Sequence, residues 1–208
     1  MLDIAVIRVL SILLEVGTIG SIAVLLFFTW EREDLGAVKA SKPTSFVLYQ
    51  LWLFLVIILP PIFYIFGAVM PSWVYGTILN VSFEGAEYLQ IASLPLFLIG
   101  AILAGWSEWP IGQFMRPHTE VMEKHELVTR GPYSRIRHPT YTGAILTALA
   151  SALLFLHAVP IIGFLACLII AYRKAVLEEE LLASEDGFGQ TYRDYMQKTG
   201  RFLPKLGP

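Results

Sequence analysis

Three apolar runs dominate the first half of the chain: Ile4 to Phe28, Phe46 to Val69 and Tyr88 to Trp106. Each can cross a hydrocarbon core of about 30 Å, which takes about 20 helical residues. A fourth stretch, Tyr141 to Tyr172, is apolar except at His157 and is interrupted at Ala158-Val159-Pro160. Its length and break predict a helical hairpin of two short spans. The pattern therefore predicts an all-α integral membrane protein of about five transmembrane helices, the last two forming the hairpin. The first run lacks a basic leader and a small-residue exit, so it is expected to stay in the mature chain rather than act as a cleaved signal.

Composition agrees with this reading. Of 208 residues, 56% are hydrophobic and 15% charged, with a mean hydropathy of +0.63, which is too apolar for an ordinary soluble domain. The net charge of -2 carries no basic excess of the kind that marks nucleic-acid binding. Cys167 is the only cysteine, which excludes a disulfide or a cysteine metal site within one chain.

The distribution of charge predicts the topology. Every Lys and Arg except Arg8 falls in three segments, Glu31 to Ser45, Ser107 to Thr140 and Arg173 to Pro208. With five spans, all three lie on one side. The positive-inside rule makes that side cytoplasmic and puts the N-terminus outside. Arg8 would snorkel from the start of the first span, and Glu15 lies within that span, where the expected role is structural. The opposite connection, Pro71 to Glu87, carries Trp73, Tyr75 and Phe83 as candidate headgroup anchors. Trp106 and Trp109 fit an interfacial belt and Glu108 a solvated helix end, although together the three could edge a lateral opening to lipid. Phe188, Tyr192, Tyr195 and Met196 recur near helical spacing, as in an interfacial helix or in an amphipathic helix packed on the rest of the protein. No repeat or linker divides the chain. It reads as a single membrane domain, with three spans in residues 1–106 and a site-bearing half in residues 107–208 formed by the hairpin 141–172 and the C-terminal tail.

The polar residues concentrate in that second half. Between His125 and Gly143 the sequence HELVTRGPYSRIRHPTYTG crowds charged and aromatic side chains against the start of a span, where ionisable groups are costly and usually functional. Folding the hairpin brings Arg137, His138 and Tyr141 close to Arg173, Lys174, Glu178, Glu179 and Glu180. That mouth would suit a ligand with an amino-acid end, hydroxyls and a fixed positive charge. Arg137 and His138 precede Pro139 at a helix entrance whose free N–H groups favour an anion. HELVT lacks the second histidine of a zinc-protease motif, and neither a phosphate-binding loop nor a serine-hydrolase elbow is present.

The ordered residues His125, Leu127, Val128, Gly131, Tyr133, Arg137, His138, Pro139, Tyr141 and Gly143, followed by Glu179, Glu180, Leu182, Phe188, Gly189 and Tyr192, resemble the isoprenylcysteine carboxyl methyltransferase and phospholipid methyltransferase superfamily. The resemblance covers the last 90 residues or so. It implies a cytoplasmic S-adenosyl-L-methionine pocket at the ends of the last two spans, closed by the tail, with an opening to lipid for a lipophilic or prenylated acceptor. It assigns cofactor binding to His125, Leu127, Val128, Gly131, Tyr133, His138, Pro139, Tyr141, Glu179 and Glu180. Arg137, Arg173 and Glu180 are the candidate catalytic residues. Arg173, or its neighbour Lys174, would orient an acceptor carboxylate. The first acceptor class is the carboxylate of an isoprenylated cysteine or a related small molecule. A phospholipid amine is the second and would need a base, for which Glu180 or His138 could serve. An NADPH-dependent membrane reductase and a non-catalytic membrane protein are the readings of other classes.

Overall fold

The computed structural model describes residues 1–30, 36–41, 45–111 and 120–205. Parts of two basic connections, residues 31–35, 42–44 and 112–119, lie outside the described residues, as do residues 206–208. The elements in chain order are α1 (Ile4–Trp30), β1 (Val38–Ser41), α2 (Ser45–Leu53), α3 (Leu59–Val69), α4 (Pro71–Tyr75), α5 (Ala86–Ile111), β2 (Glu120–Met122), α6 (Pro139–Phe155), α7 (Ala158–Leu182) and α8 (Gln190–Lys198). Four segments are long and apolar enough to cross a membrane, namely Ile4–Val24, Val47–Val69, Ala86–Ile111 and Ala158–Leu182. The shorter α6 is also apolar. The protein is thus a mostly helical, multi-pass membrane protein.

Two prolines shape the second span. Pro60 and Pro61 have no N–H to return to the preceding turn, so the helix widens into a π-helical turn over Phe54–Ile58, where the Leu59 N–H bonds to the Phe54 carbonyl. The hairpin breaks slightly earlier than Ala158-Val159-Pro160. Leu156 is left-handed at φ 45° and ends α6, and His157 caps α7 by accepting the Val159 N–H on Nδ1 at 3.2 Å. The second arm is not short. With no glycine or proline between Phe164 and Leu182, α7 continues for 25 residues through Arg173 and the glutamates.

The connections sort into two ends of the bundle. At one end the N-terminal amine lies 3.1 Å from Glu87, the Val81 N–H bonds to the Leu156 carbonyl and the Ala158 N–H to the Leu79 carbonyl. At the other, β1 pairs antiparallel with β2, and the tail runs beside residues 135–138. The described parts of the three basic segments therefore share one end. Tyr75 departs from its expected anchoring role: its hydroxyl turns inward and donates to the Leu154 carbonyl at 2.9 Å. Trp73 does lie outside, 67% exposed and stacked on Phe66.

The closest helix contact is between α5 and α6, where glycines face each other. A Cβ at Gly143 would stand 2.6 Å from the Gly100 carbonyl oxygen, and one at Gly100 would stand 2.7 Å from that of Gly143. Small residues at such crossings let backbones approach and pack. Gly143→Val should therefore push the two helices apart, costing ~1–3 kcal/mol by overpacking. A thermal melt in detergent checks this, and an unchanged melting temperature would contradict the contact.

Candidate functional site

A cavity of about 630 Å³ runs from the middle of the bundle to its basic end. Its inner arm is apolar, lined by Ile22 of α1, Trp52, Val56 and Ile57 of the second span, and Phe97, Ala101 and Ala104 of α5. Its outer arm is polar, lined by His125, Glu126, Tyr133, Arg137, His138, Tyr141, Lys174 and Glu178, with Phe188, Tyr192 and Tyr195 closing it from the tail. The size falls within the roughly 300–1,000 Å³ of small-molecule sites, and an apolar arm joined to a few convergent polar groups is their usual chemistry.

The outer arm is built by docking the tail on the start of α6. Ile136 and Gly200 form a parallel bridge, the Arg137 N–H donates to the Gly200 carbonyl at 2.8 Å, and the His138 N–H donates to the Arg201 carbonyl at 3.0 Å. These two N–H groups serve the tail rather than the expected ligand anion. A side chain at Gly200 would collide with the Leu203 carbonyl, so the turn there needs glycine. Docking sets α8 over the cavity, with Tyr192 fully buried and the Tyr195 hydroxyl donating to the Tyr133 carbonyl at 2.6 Å. The segment forms an amphipathic helix, α8, packed on the rest of the protein through Tyr192. Phe188, just before α8, meets the His125 ring edge-on at 5.7 Å.

Glu179 is the centre of the docking. Its side chain is 4% exposed and receives Arg137 Nε at 2.8 Å and Arg201 Nη2 at 2.7 Å, with His138 Nε2 at 3.2 Å. Arg137 also donates to the Met196 and Thr199 carbonyls, and Arg201 lies over the Tyr172 ring. Glu178 faces the cavity. It accepts the Tyr141 hydroxyl, lies 3.4 Å from His138 Nδ1, and has Lys174 Nζ at 3.9 Å. Lys174 is itself buried, 5.4 Å from the centroid of the Tyr49 ring and 5.8 Å from that of Tyr141.

Burial opposes a charge on His138, but the hydrogen bonds and charges of Glu178 and Glu179 outweigh it and raise the imidazole above its ordinary value. Burial raises the Tyr133 and Tyr192 phenols and pushes Tyr195 up to about 12, so these hydroxyls stay neutral donors.

Of the residues singled out from the sequence, His125, Leu127, Val128, Tyr133, Arg137, His138 and Tyr141 line the cavity. Gly131 and Pro139 do not, and shape the backbone instead: Gly131 is left-handed at φ 61°, and Pro139 opens α6. Glu179 is in the docking cluster behind the cavity wall. Arg173 and Glu180 depart furthest from expectation. Both are exposed and neither lines the cavity. Seven residues apart, they share a helical face, whereas Lys174, Glu178 and Leu182 form the stripe turned inward. Of the two neighbouring basic residues, Lys174 lines the cavity and Arg173 does not. Trp52, Val56, Phe97 and Ala104 also line the cavity, and nothing in an apolar run marks which of its faces does so; Glu108, just beyond such a run, lines it as well.

Glu179→Gln should strand two arginines beside a neutral amide, and breaking a buried pair costs ~3–5 kcal/mol. The expected readout is rapid tryptic cleavage at Arg193, Lys198 or Arg201 as the tail undocks; wild-type resistance in the variant would refute it. Because the His138 pKa is raised on folding, its contribution to stability is complete below the unfolded value of about 6.5 and is lost as pH rises through the higher folded value. Melting curves across that window should decline in the wild type and stay flatter in His138→Gln. Parallel curves would refute this.

Residues 93–184 match the model of the isoprenylcysteine carboxyl methyltransferase family. The protein-S-isoprenylcysteine O-methyltransferase of Tribolium castaneum is 29% identical over 144 residues, 66% of this chain and 50% of that protein. That of Xenopus laevis is 26% identical over 142 residues, 66% of this chain and 49% of its own length. That of Dictyostelium discoideum is 30% identical over 88 residues, 42% of this chain and 36% of its own. The chain spans about half the length of the Tribolium and Xenopus relatives. The matched segment holds α6, α7 and most of the motif residues around the cavity, and over it the chain is similar to the isoprenylcysteine carboxyl methyltransferase family.

Proposed function

We propose that this protein transfers a methyl group from S-adenosyl-L-methionine to the carboxylate of a lipophilic acceptor, an isoprenylated cysteine or a small molecule like it. One observation carries the reading: a single cavity joins an apolar arm between the spans to a polar arm at the basic end. That geometry suits two ligands of opposite character meeting at the junction. We place the basic end in the cytoplasm and the N-terminus outside, with α6 as a fifth span of about 25 Å at 1.5 Å per residue.

The outer arm fits the methyl donor. Glu178 offers carboxylate oxygens to hydroxyl or ammonium donors, the neutral phenols of Tyr133 and Tyr192 offer further polar groups, and the segment from Leu127 to Tyr133 offers backbone to a heterocycle edge. When bound, the donor supplies an electrophilic sulfonium methyl. Lys174 is the cation for the acceptor carboxylate. It is buried in the wall, and its partner Glu178 lies at 3.9 Å, the far limit of an ion pair.

A carboxylate acceptor is already an anion, so the protein needs to hold the reactants in line and exclude water rather than remove a proton. The bases suggested for an amine acceptor fit poorly. Glu180 is exposed and does not line the cavity, and both ring nitrogens of His138 already face carboxylates, Nδ1 toward Glu178 at 3.4 Å and Nε2 toward Glu179 at 3.2 Å. A dinucleotide is poorly matched as well, since Arg137 is engaged with Glu179 and the tail carbonyls.

Isothermal titration should find saturable binding of S-adenosylhomocysteine, weakened about tenfold or more in Glu178→Gln. Methylation of N-acetyl-S-farnesylcysteine should lose about 10- to 100-fold in kcat/KM in Lys174→Met while the homocysteine compound still binds. Binding of NADPH in its place, or of neither, would overturn the proposal.

A further inference from the structure

The sequence places Glu108 at a solvated helix end, yet the structure buries it. The residue is 5% exposed, lines the cavity, and its Oε2 has no hydrogen-bond partner among the described residues. Its neighbours Trp106 and Trp109 are 54% and 76% exposed, so α5 turns aromatic groups outward on either side while Glu108 points in. A buried carboxylate oxygen left without a donor costs well more than an ordinary hydrogen bond gains, and native structures rarely tolerate one without a purpose. Polar side chains elsewhere along the cavity and behind its wall are engaged with one another. Ser107 Oγ lies 2.7 Å from Thr140 Oγ1 and 2.6 Å from the Ala104 carbonyl, Lys174 faces Glu178, and Arg137 faces Glu179.

Position adds meaning to the vacancy in its hydrogen bonding. Phe97, Ala101, Ala104, Glu108 and Ile111 recur at helical spacing on one face of α5 and all line the cavity. Glu108 therefore sets the one carboxylate into an otherwise apolar stripe, near the end of α5 that adjoins the polar arm. An acceptor lying with its chain against Ala101 and Ala104 brings its first polar group to Glu108. Lys174 on α7, which lines the same cavity, is a cation for the carboxylate of such a head group. A group bearing N–H would be held at Glu108.

We propose that Glu108 selects the acceptor by accepting a hydrogen bond from an N–H carried beside the lipophilic chain, as in the α-amide of an S-prenylated cysteine. Glu108 and Lys174 would then read the two ends of an amino-acid head group, N–H and carboxylate, and fix which end faces the methyl donor. The proposal rests on the methyl-transfer reading and deepens it.

The test compares N-acetyl-S-farnesylcysteine with S-farnesyl-3-mercaptopropionate, which keeps the thioether chain and the carboxylate but lacks the amide. Both are assayed with the full-length protein and with Glu108→Ala and Glu108→Gln, and S-adenosylhomocysteine binding is measured in each as a control of fold and donor site. The wild type should favour the amide compound by about tenfold or more in kcat/KM. Glu108→Ala should bring that ratio near one, and Glu108→Gln, which keeps a carbonyl acceptor, should fall between. No preference in the wild type, or equal losses on both compounds in Glu108→Ala, overturns the proposal. So does failure to methylate either compound while the homocysteine compound still binds, which leaves the donor site standing. Failure of the wild type to bind the homocysteine compound removes the methyl-transfer reading and this proposal with it.

Discussion

The outer half of the site depends on a carboxylate withdrawn from water. Glu179 gathers Arg137 from the start of α6, Arg201 from the tail and His138 between them, and through these three it fixes the tail against the helix mouth. Ion pairs of this kind gain little over an apolar replacement, because desolvation offsets attraction. Their value lies in specificity. Each arginine, once buried, has few other places to go, so the tail has one register: Gly200 beside Ile136, and the Phe202 carbonyl against the Thr142 hydroxyl at 2.8 Å. With that register set, Tyr192 and Tyr195 close the cavity. The wall against solvent is electrostatic in origin, although the residues that form it are aromatic.

The same logic explains how three consecutive glutamates have three environments. A helix turns each successive residue by about 100°, so Glu178, Glu179 and Glu180 on α7 look toward the cavity, the docking cluster and the outside in turn. The run E-E-E shows that charge is dense at a helix end, which is why the mouth was legible as a site. It does not show which carboxylate meets a ligand. That depends on how α7 is rotated against α6, which is decided by side-chain packing far from the glutamates: Cys167 and Ala171 sit in the core with Trp52, Ala144 and Ala148. Arg173 and Lys174 divide for the same reason.

Hydropathy located the spans well because the bilayer is a severe solvent: backbone polar groups must pair within a segment, so long apolar runs have one outcome. The charge asymmetry likewise anticipated which connections share an end. The hairpin break was less clear. Pro160 marks the neighbourhood, but the turn itself uses left-handed Leu156 and a histidine cap, neither of which has a strong signature. The preference of aromatic residues for the interface marks Tyr75 as an anchor in the sequence, yet a carbonyl at the end of α6 is within reach of its hydroxyl. The Gly100–Gly143 crossing joins residues on different helices, so no short-range motif in either could reveal it.

These features together set the polarity of the cavity. Pro60 and the π-helical turn before it move Val56 and Ile57 into the apolar arm, while the glycine crossing holds α5 close enough to α6 for Ala101 and Ala104 to form the facing wall. The apolar arm thereby offers a lining at membrane depth that a long apolar chain would match, since transfer from lipid changes little in hydration. At the opposite end the docked tail shields the polar groups, so charge interactions there are less screened than at an open surface. The junction between the two arms is where the apolar lining meets the buried polar groups. A reaction whose charges approach and cancel benefits most from such a place, since loss of hydration strengthens attraction between an anionic nucleophile and a cationic methyl donor. The architecture favours that chemistry through where its few polar groups lie, with Lys174 and Glu178 on one helix and Glu108 on another.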